Sequence, residues 1–382
     1  MKRLWIILAV IALIMSCLPV WSRAVGLEVG GKSSVLMDVA TGTVLHEQNA
    51  HESLAPASVT KVMTMLLIME AVEAGQIAMG DLVTASETAA AKGGSQIYLK
   101  VGETMTVADM LKSIAVSSAN DCACAMAEHI AGSEQAFVER MNARAAELGM
   151  KDTHFVNCTG LDDGEEAKNH RTSAYDIALM SRQLLKYHPE IKQFTTIWMD
   201  TVRDGAFGLS NTNKLIRFYS GATGLKTGYT SGAGYCLSAS AQREGMELIA
   251  VVMGCETSQI RTNACKSMLD YGFANYAVIA PEIPEDAAVP VKLGNAEKIT
   301  AIPEKEVELL VEKGQKNSVT TSVTVMESVT APVHQGQELG TLQVRSGEQI
   351  LAEVPLVAAA DVARLTWGEL TVLVLKQVVM AK

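Results

Sequence analysis

The chain has 382 residues, 48% hydrophobic, 19% charged and 5% aromatic, which is enough apolar material for one large core plus a smaller domain and excludes a disordered chain. Its formal net charge is −10 and no run of Lys or Arg occurs, so a nucleic-acid partner lacks its electrostatic footprint. The seven histidines and seven cysteines form no H-E-x-x-H or zinc-ribbon spacing, and neither a metal nor another cofactor is expected.

Lys2 and Arg3 precede an apolar run from Leu4 to Leu18, and Ser22-Arg23-Ala24 supplies small residues for cleavage, so residues 1–24 read as an export signal. Ser33 to Met37 and Thr43 to His46 are strand-like runs around Ala40-Thr41-Gly42, which predicts a β-hairpin. Pro56-Ala57-Ser58-Val59-Thr60-Lys61 then opens a long apolar run that ends near Ala74-Gly75. This run reads as a helix that Pro56 prevents from starting earlier. Ser58 and Lys61, three apart, share one helical face and can hydrogen-bond. The first turn, with unpaired N–H groups and a positive dipole end, is a good place to form an alkoxide. A lysine can take the serine proton only if burial or a neighbouring cation makes its amine neutral.

A polar stretch from Thr84 to Gly102 leads into a helix opening at Thr106. Ser117-Ser118-Ala119-Asn120 interrupts the apolar pattern before it resumes at Cys122, Ala125, Met126 and Ile130, so polar groups fall between two helices. Cys122 and Cys124 read as small buried filler. Glu134 to Leu148 is helical, and a turn-rich passage from Phe155 to Leu161 and a charged loop, Asp162-Asp163-Gly164-Glu165-Glu166, follow. A further helix runs from Ala174 to Tyr187 and is stopped by Pro189.

Beyond Asn213 the period changes. Segments around Lys226-Thr227-Gly228, Gly234 to Ser240 and Glu247 to Met253 predict an antiparallel meander, covered by a helix from Ser258 to Tyr276. Strands at both ends with helices between them make residues 25–280 an α+β domain. Prolines at 281, 284, 290 and 303 mark a composition shift, and short strands separated by turns predict a small β-sandwich over 281–360. In the tail, 361–382, Trp367, Leu370, Val374 and Val378 are spaced for an amphipathic helix too short to span a bilayer, suited to lying in the membrane interface.

Ser58-Val59-Thr60-Lys61, Ser118-Ala119-Asn120 and Lys226-Thr227-Gly228 stand in this order, the S-x-x-K, S-x-N, K-T-G signature of penicillin-binding proteins and serine β-lactamases. With Pro56 to Thr64, Phe155 to Leu161 and the β-rich tail, nearly the whole chain after the leader resembles the low-molecular-mass D-alanyl-D-alanine carboxypeptidases. The resemblance implies a transpeptidase-like fold, an antiparallel sheet flanked by helices, followed by an all-β domain and a membrane-anchoring helix. It implies an exported enzyme at the outer face of the cytoplasmic membrane, acting on peptidoglycan stem peptides ending in D-Ala-D-Ala and inhibited covalently by β-lactams. Carried over by motif, Ser58 is the nucleophile, Lys61 its base and Ser118 part of the proton network, while Asn120 bonds the peptide backbone. Lys226 and Thr227 receive the terminal carboxylate, and Lys226 is expected to depress the Lys61 amine. Gly228 lets an extended peptide approach the strand edge. The N–H groups of Ser58 and Tyr229 form the oxyanion hole, and Arg261 corresponds to a carboxylate-orienting arginine.

Ala119 stands where many relatives have glycine or aspartate, and Tyr229 where histidine is frequent. A D,D-endopeptidase would use the same residues, and a non-catalytic wall-binding protein would show damaged motifs. A β-lactamase would need a water-activating glutamate in E-x-x-L-N; Glu165 to Asn169 offers only E-x-x-x-N, without the leucine.

Overall fold

The computed structural model describes residues 27, 29–281, 287–305 and 307–372. The export signal expected over 1–24, and the tail helix from residue 373 onward, lie outside the described residues.

The core of the first part is a five-stranded sheet in the order β2-β1-β9-β8-β7, antiparallel throughout. The hairpin is β1 (Ser33–Asp38) and β2 (Val44–Gln48), and the meander is β7 (Ala222–Thr230), β8 (Gly234–Arg243) and β9 (Met246–Cys255). Between them lie the two-stranded ribbons β3 (Leu82–Thr84) with β4 (Thr104–Thr106) and β5 (Met199–Val202) with β6 (Phe207–Ser210). β9 is buried along nearly all its length because both sheet faces are covered. Leu248, Ala250 and Val252 join a cluster with Cys265, Met268 and Leu269 of the helix Ser258–Asn275. Ile249, Val251 and Met253 point to the opposite face and the larger cluster built by the other helices.

That larger cluster is centred on helix α1 (Lys61–Glu73), whose buried positions include Val62, Met63, Met65, Leu66, Ile68 and Met69. A helix apolar on nearly every side belongs inside a domain, and its first residue is buried with it. Around it lie α2 (Glu87–Ala90), α3 (Val107–Ser117), α4 (Asn120–Ala131), α5 (Glu134–Glu147) and α6 (Ala174–Tyr187). Side-chain caps open several of them: Thr106 accepts from Asp109 N, Ser133 from Ala136 N and Ser173 from Asp176 N. All six described cysteines are buried and unpaired, matching the filler role expected of Cys122 and Cys124.

The C-terminal part is mostly β, with a 3-10 turn at Lys313–Ser318 and helical backbone at 367–372. The strand β10 (Tyr276–Ile279) continues directly from the Ser258–Asn275 helix and pairs with β13 (Leu309–Glu312). Beyond it, β11 (Ala288–Lys292), β12 (Lys298–Pro303), β14 (Val319–Val325), β15 (Val329–Thr330), β16 (Glu338–Ser346) and β17 (Gln349–Ala358) hydrogen-bond in the order β14-β16-β17-β12-β11-β15. The strands form one continuous sheet where the sequence pattern predicts a two-sheet sandwich. Strands from both ends of that order, carrying Val323 and Val329, pack on one cluster with Leu339, Leu342 and Leu356, so the sheet folds over itself to bury its apolar face.

Candidate active site

Ser58 sits in a tight 3-10 turn, Ala57–Thr60, immediately before α1, rather than in the first turn of the α-helix itself. Ala57 has a φ of 49°, a conformation that costs a non-glycine residue about 1–2 kcal/mol and must be enforced by its surroundings. The Ala57 carbonyl accepts a hydrogen bond from Thr60 Oγ1 at 2.9 Å, and Thr60 Oγ1 lies 2.7 Å from His170 Nε2. His170 Nδ1 in turn accepts from Val156 N at 3.1 Å. These partners fix the ring as the neutral tautomer protonated at Nε2. Burial pushes its pKa down to about 4, which keeps it in that form. Two glycines close on the turn. A Cβ on Gly160, whose φ is +80°, would fall 1.8 Å from the Ala57 carbonyl oxygen, and one on Gly228 would fall 3.1 Å from Ser58 N.

Lys61 Nζ lies 3.0 Å from Ser58 Oγ and donates to Thr159 O at 2.7 Å. The lysine is fully buried whereas Ser58 is half-buried. Burial is the first cause that lowers the Lys61 pKa, to about 7, so its amine is half neutral near neutral pH. Thr159 is presented by the Phe155–Leu161 passage, where Asn157 Oδ1 accepts from Thr159 N at 3.1 Å and Gly160 N at 2.6 Å.

Lys226 is 1% exposed and donates to Thr227 O at 3.0 Å. Its pKa is lowered well below the usual lysine range, first by burial, then by the Lys61 cation and then by Arg261. Burial is the first cause at both lysines, so burial, ahead of the neighbouring cation that the sequence reading put first, is the leading reason the Lys61 amine is lowered. Thr227 Oγ1 donates to Thr212 Oγ1 at 2.6 Å. Arg261 reaches Gly228 O and Cys236 O at 3.5 Å each, with its guanidinium 5.6 Å from the Tyr235 ring centroid. Tyr229 is exposed and lies against Tyr235, ring centroids 4.2 Å apart. Lys61, Lys226 and Arg261 thus form a buried cationic cluster in a chain of net charge −10.

Ser118 occupies the turn between α3 and α4 with a φ of 64°. The turn is anchored by Asn120 N to Ser95 O at 2.7 Å and Asn120 Nδ2 to Gly93 O at 2.7 Å. The neighbouring Asp121 carboxylate accepts from Ile97 N at 3.1 Å and Leu99 N at 3.0 Å. Ser118 Oγ, Asn120 Oδ1 and Arg261 Nε are buried without a hydrogen-bond partner among the described residues. Buried polar atoms are rarely left so, and Ser118 Oγ and Asn120 Oδ1, two residues apart on one turn, are therefore free to receive polar groups.

The structure therefore brings Ser58, Lys61, Lys226, Gly228 and Arg261 together and places Ser118 and Asn120 on an adjoining turn, without a direct hydrogen bond from either to Ser58 or Lys61 among the described residues. Sequence reasoning assigned no role to Thr159, Gly160, His170 or Thr212. The Phe155–Leu161 passage carried a signal as part of the family resemblance, but His170 gave none, since its partner is 110 positions away. Glu165, the lactamase candidate, is solvent-facing and paired with Lys168.

Residues 21–257 match the family Peptidase S11, D-alanyl-D-alanine carboxypeptidase, and residues 282–364 match the C-terminal domain of penicillin-binding protein 5. The chain is 46% identical over 339 residues to D-alanyl-D-alanine carboxypeptidase DacF of Bacillus subtilis, covering 87% of this chain and 86% of that protein. It is 33% identical over 351 residues to DacC of Escherichia coli, covering 88% and 85%. Penicillin-binding protein 5 from Haemophilus influenzae superposes with a TM-score of 0.73 at 30% identity, covering 88% of this chain and 98% of that one. Penicillin-binding protein D2 from Listeria monocytogenes, solved in its ampicillin-bound form, gives a TM-score of 0.59 at 30% identity over 65% of this chain and 99% of that one.

Proposed function

The chain belongs to the peptidase S11 family and is a serine D-alanyl-D-alanine carboxypeptidase; from that premise we propose how its own residues remove the terminal D-alanine of a peptidoglycan stem peptide. The observation that carries the assignment is a half-buried serine 3.0 Å from a fully buried lysine whose pKa is about 7, beside the free edge of β7. Among the described residues β7 ends the sheet order and pairs with β8 alone, so an extended peptide can add as a further strand.

The substrate's carboxylate enters the cation cluster, bonded by Lys226 and by the Thr227 hydroxyl, which turns from Thr212 Oγ1 to donate to it, and oriented by Arg261. Asn120 bonds the backbone of the preceding residue. Neutral Lys61 takes the Ser58 proton as Oγ attacks the carbonyl between the two D-alanines, and the N–H groups of Ser58 and Tyr229 hold the oxyanion. Collapse breaks the C–N bond, and the proton passes through Lys61 and Ser118 to the leaving amine. Water then attacks the ester, with Lys61 again the base, and frees Ser58. A β-lactam presents a carboxylate and a strained amide to the same groups and acylates the same oxygen. Incubation with penicillin is expected to add one acyl group, mapped by mass spectrometry to the peptide holding Ser58, while the untreated enzyme frees D-alanine from a D-Ala-D-Ala peptide. A label on any other residue would overturn the assignment of Ser58.

We further propose that residues 1–24 export the chain and that the tail holds it on the membrane surface. The tail helix begins at Trp367, which is 88% exposed, as expected of a ring that sits among lipid headgroups. Leu365 N still bonds Leu293 O at 2.9 Å, so a clean truncation removes 366–382 rather than the whole tail. The truncated enzyme is expected in the soluble fraction with peptide hydrolysis unchanged. Continued sedimentation with membranes would refute the anchor.

A further inference from the structure

The carbonyl of Ala57 and the N–H of Ser58 belong to one peptide unit. That unit is planar and trans, so the two groups point in opposite directions, and whatever holds the carbonyl also aims the N–H. Thr60 Oγ1 donates to this carbonyl at 2.9 Å, and Gly160 comes so close that a Cβ there would fall 1.8 Å from its oxygen. The Ala57 φ of 49° is unfavourable for alanine, so the direction of the unit is set by these partners and not by local preference.

Thr60 has one proton to give, and His170 decides where it goes. The imidazole Nε2 lies 2.7 Å from Thr60 Oγ1, while Nδ1 accepts from Val156 N at 3.1 Å. The Nε2–H therefore occupies a lone pair of the hydroxyl and turns the hydroxyl proton toward Ala57 O. Thr60 is 0% and His170 3% exposed, and the imidazole packs edge-on to Phe155 with ring centroids 5.6 Å apart. Donors thus follow one another from His170 Nε2–H through the Thr60 hydroxyl to the Ala57 carbonyl, and the Ser58 N–H stands at the far side of the same amide. Each bond polarises the next, which makes that last N–H a stronger donor. Gly228 keeps room beside it, since a Cβ there would fall 3.1 Å from Ser58 N.

We propose that His170 is a positioning residue: through Thr60 it orients and strengthens the Ser58 N–H that receives the developing oxyanion. Both side chains are buried behind the turn and act without touching the substrate. The proposal rests on the serine carboxypeptidase reading and adds what aims its oxyanion donor. The test measures acylation of Ser58 by penicillin, both its limiting first-order rate, which does not depend on how much of a variant is folded, and the concentration that half-saturates it. In T60V, which keeps the side-chain shape and removes the hydroxyl, the limiting rate is expected to fall roughly thirtyfold, part of the roughly 10²–10³ lost with a whole oxyanion donor. The half-saturating concentration stays within about twofold, because the N–H is engaged in the transition state.

H170Q and H170N each keep one of the two ring contacts. The glutamine amide nitrogen falls where Nε2 was and donates to Thr60, whereas the asparagine oxygen replaces Nδ1 and accepts from Val156 N alone. H170N is therefore expected to acylate as slowly as T60V, and H170Q within about threefold of wild type. A histidine with a merely structural role would be damaged alike by the loss of either bond. The double variant T60V/H170N is expected to be no slower than either single one, because both break the same chain. Equal rates in H170Q and H170N, losses that multiply in the double variant, or a wild-type rate in T60V overturn the proposal alone. A wild type that penicillin does not acylate at Ser58 overturns the serine carboxypeptidase reading and the proposal with it.

Discussion

Replacing Lys61 with methionine is expected to slow acylation of Ser58 by penicillin by about three orders of magnitude, the middle of the range for a lost general base, without unfolding the protein. Lys61 is fully buried at the start of α1, next to Val62 and Met63, and methionine fills the same unbranched volume without a charge to desolvate. The substitution leaves Thr159 O without its 2.7 Å donor, an unpaired buried acceptor that costs about 1–3 kcal/mol. Relief from burying an amine offsets part of that. A loss of unfolding free energy within that range, read from urea titration, together with the collapse of acylation, separates a chemical loss from a structural one. In the unsubstituted enzyme the acid limb follows from the same burial. A lysine whose pKa is lowered to about 7 is protonated and inert as a base below that pH and neutral above it, so kcat/KM is expected to rise as pH climbs through about 7 before loss of the Lys226 charge turns it down again. An acid limb near 4 would assign the titration to His170, whose pKa burial lowers to about 4, and would displace Lys61 as the base.

Much of this arrangement is legible along the chain, and the parts that are not share a physical cause. The three motifs announce themselves because the chemistry needs fixed residue types at short spacing, one helical turn for Ser58 and Lys61 and one strand segment for Lys226 to Gly228. The α6 helix has the limits predicted from Ala174 to Tyr187, since apolar periodicity and Pro189 are local signals. Contacts across long separations leave no such trace. Thr159 serves Lys61 through its carbonyl, an atom every residue has, and is placed there by the side chain of Asn157. Ala57 holds a positive φ where Thr60 and Gly160 converge on its carbonyl and His170 braces Thr60, so the strained turn is invisible to a local reading that puts Ser58 in a regular helix. The C-terminal sheet shows the same limit: alternation of apolar and polar residues identifies the strands, but whether they make two sheets or one curled sheet depends on pairings such as β12 with β17, which lie more than fifty residues apart.

Lys226→Met is expected to lower kcat/KM for a carboxylate-bearing peptide by about two orders of magnitude, the 2–3 kcal/mol of a charge-assisted hydrogen bond, while leaving the acid limb near 7. The structure separates two roles that the sequence merges. Lys61 owes its lowered pKa first to burial, and burial persists when residue 226 is methionine. Lys226 carries the repulsion of Lys61 and Arg261 on top of its own burial, so it sheds its proton readily and regains it when an anion arrives to balance the cluster. Carboxylate binding should then take up a proton. Affinity for a D-Ala-D-Ala ligand is expected to fall as pH rises and Lys226 loses its charge, and calorimetry in buffers of different ionisation enthalpy would read the uptake directly. In Lys226→Met the uptake disappears along with the affinity. An ester or amide of the terminal carboxylate, which has no anion to place in the cluster, should be cleaved by wild type and variant at closer rates than the free acid. An acid limb that moved by a full pH unit in Lys226→Met would mean that the second cation, and not burial, makes Lys61 a base.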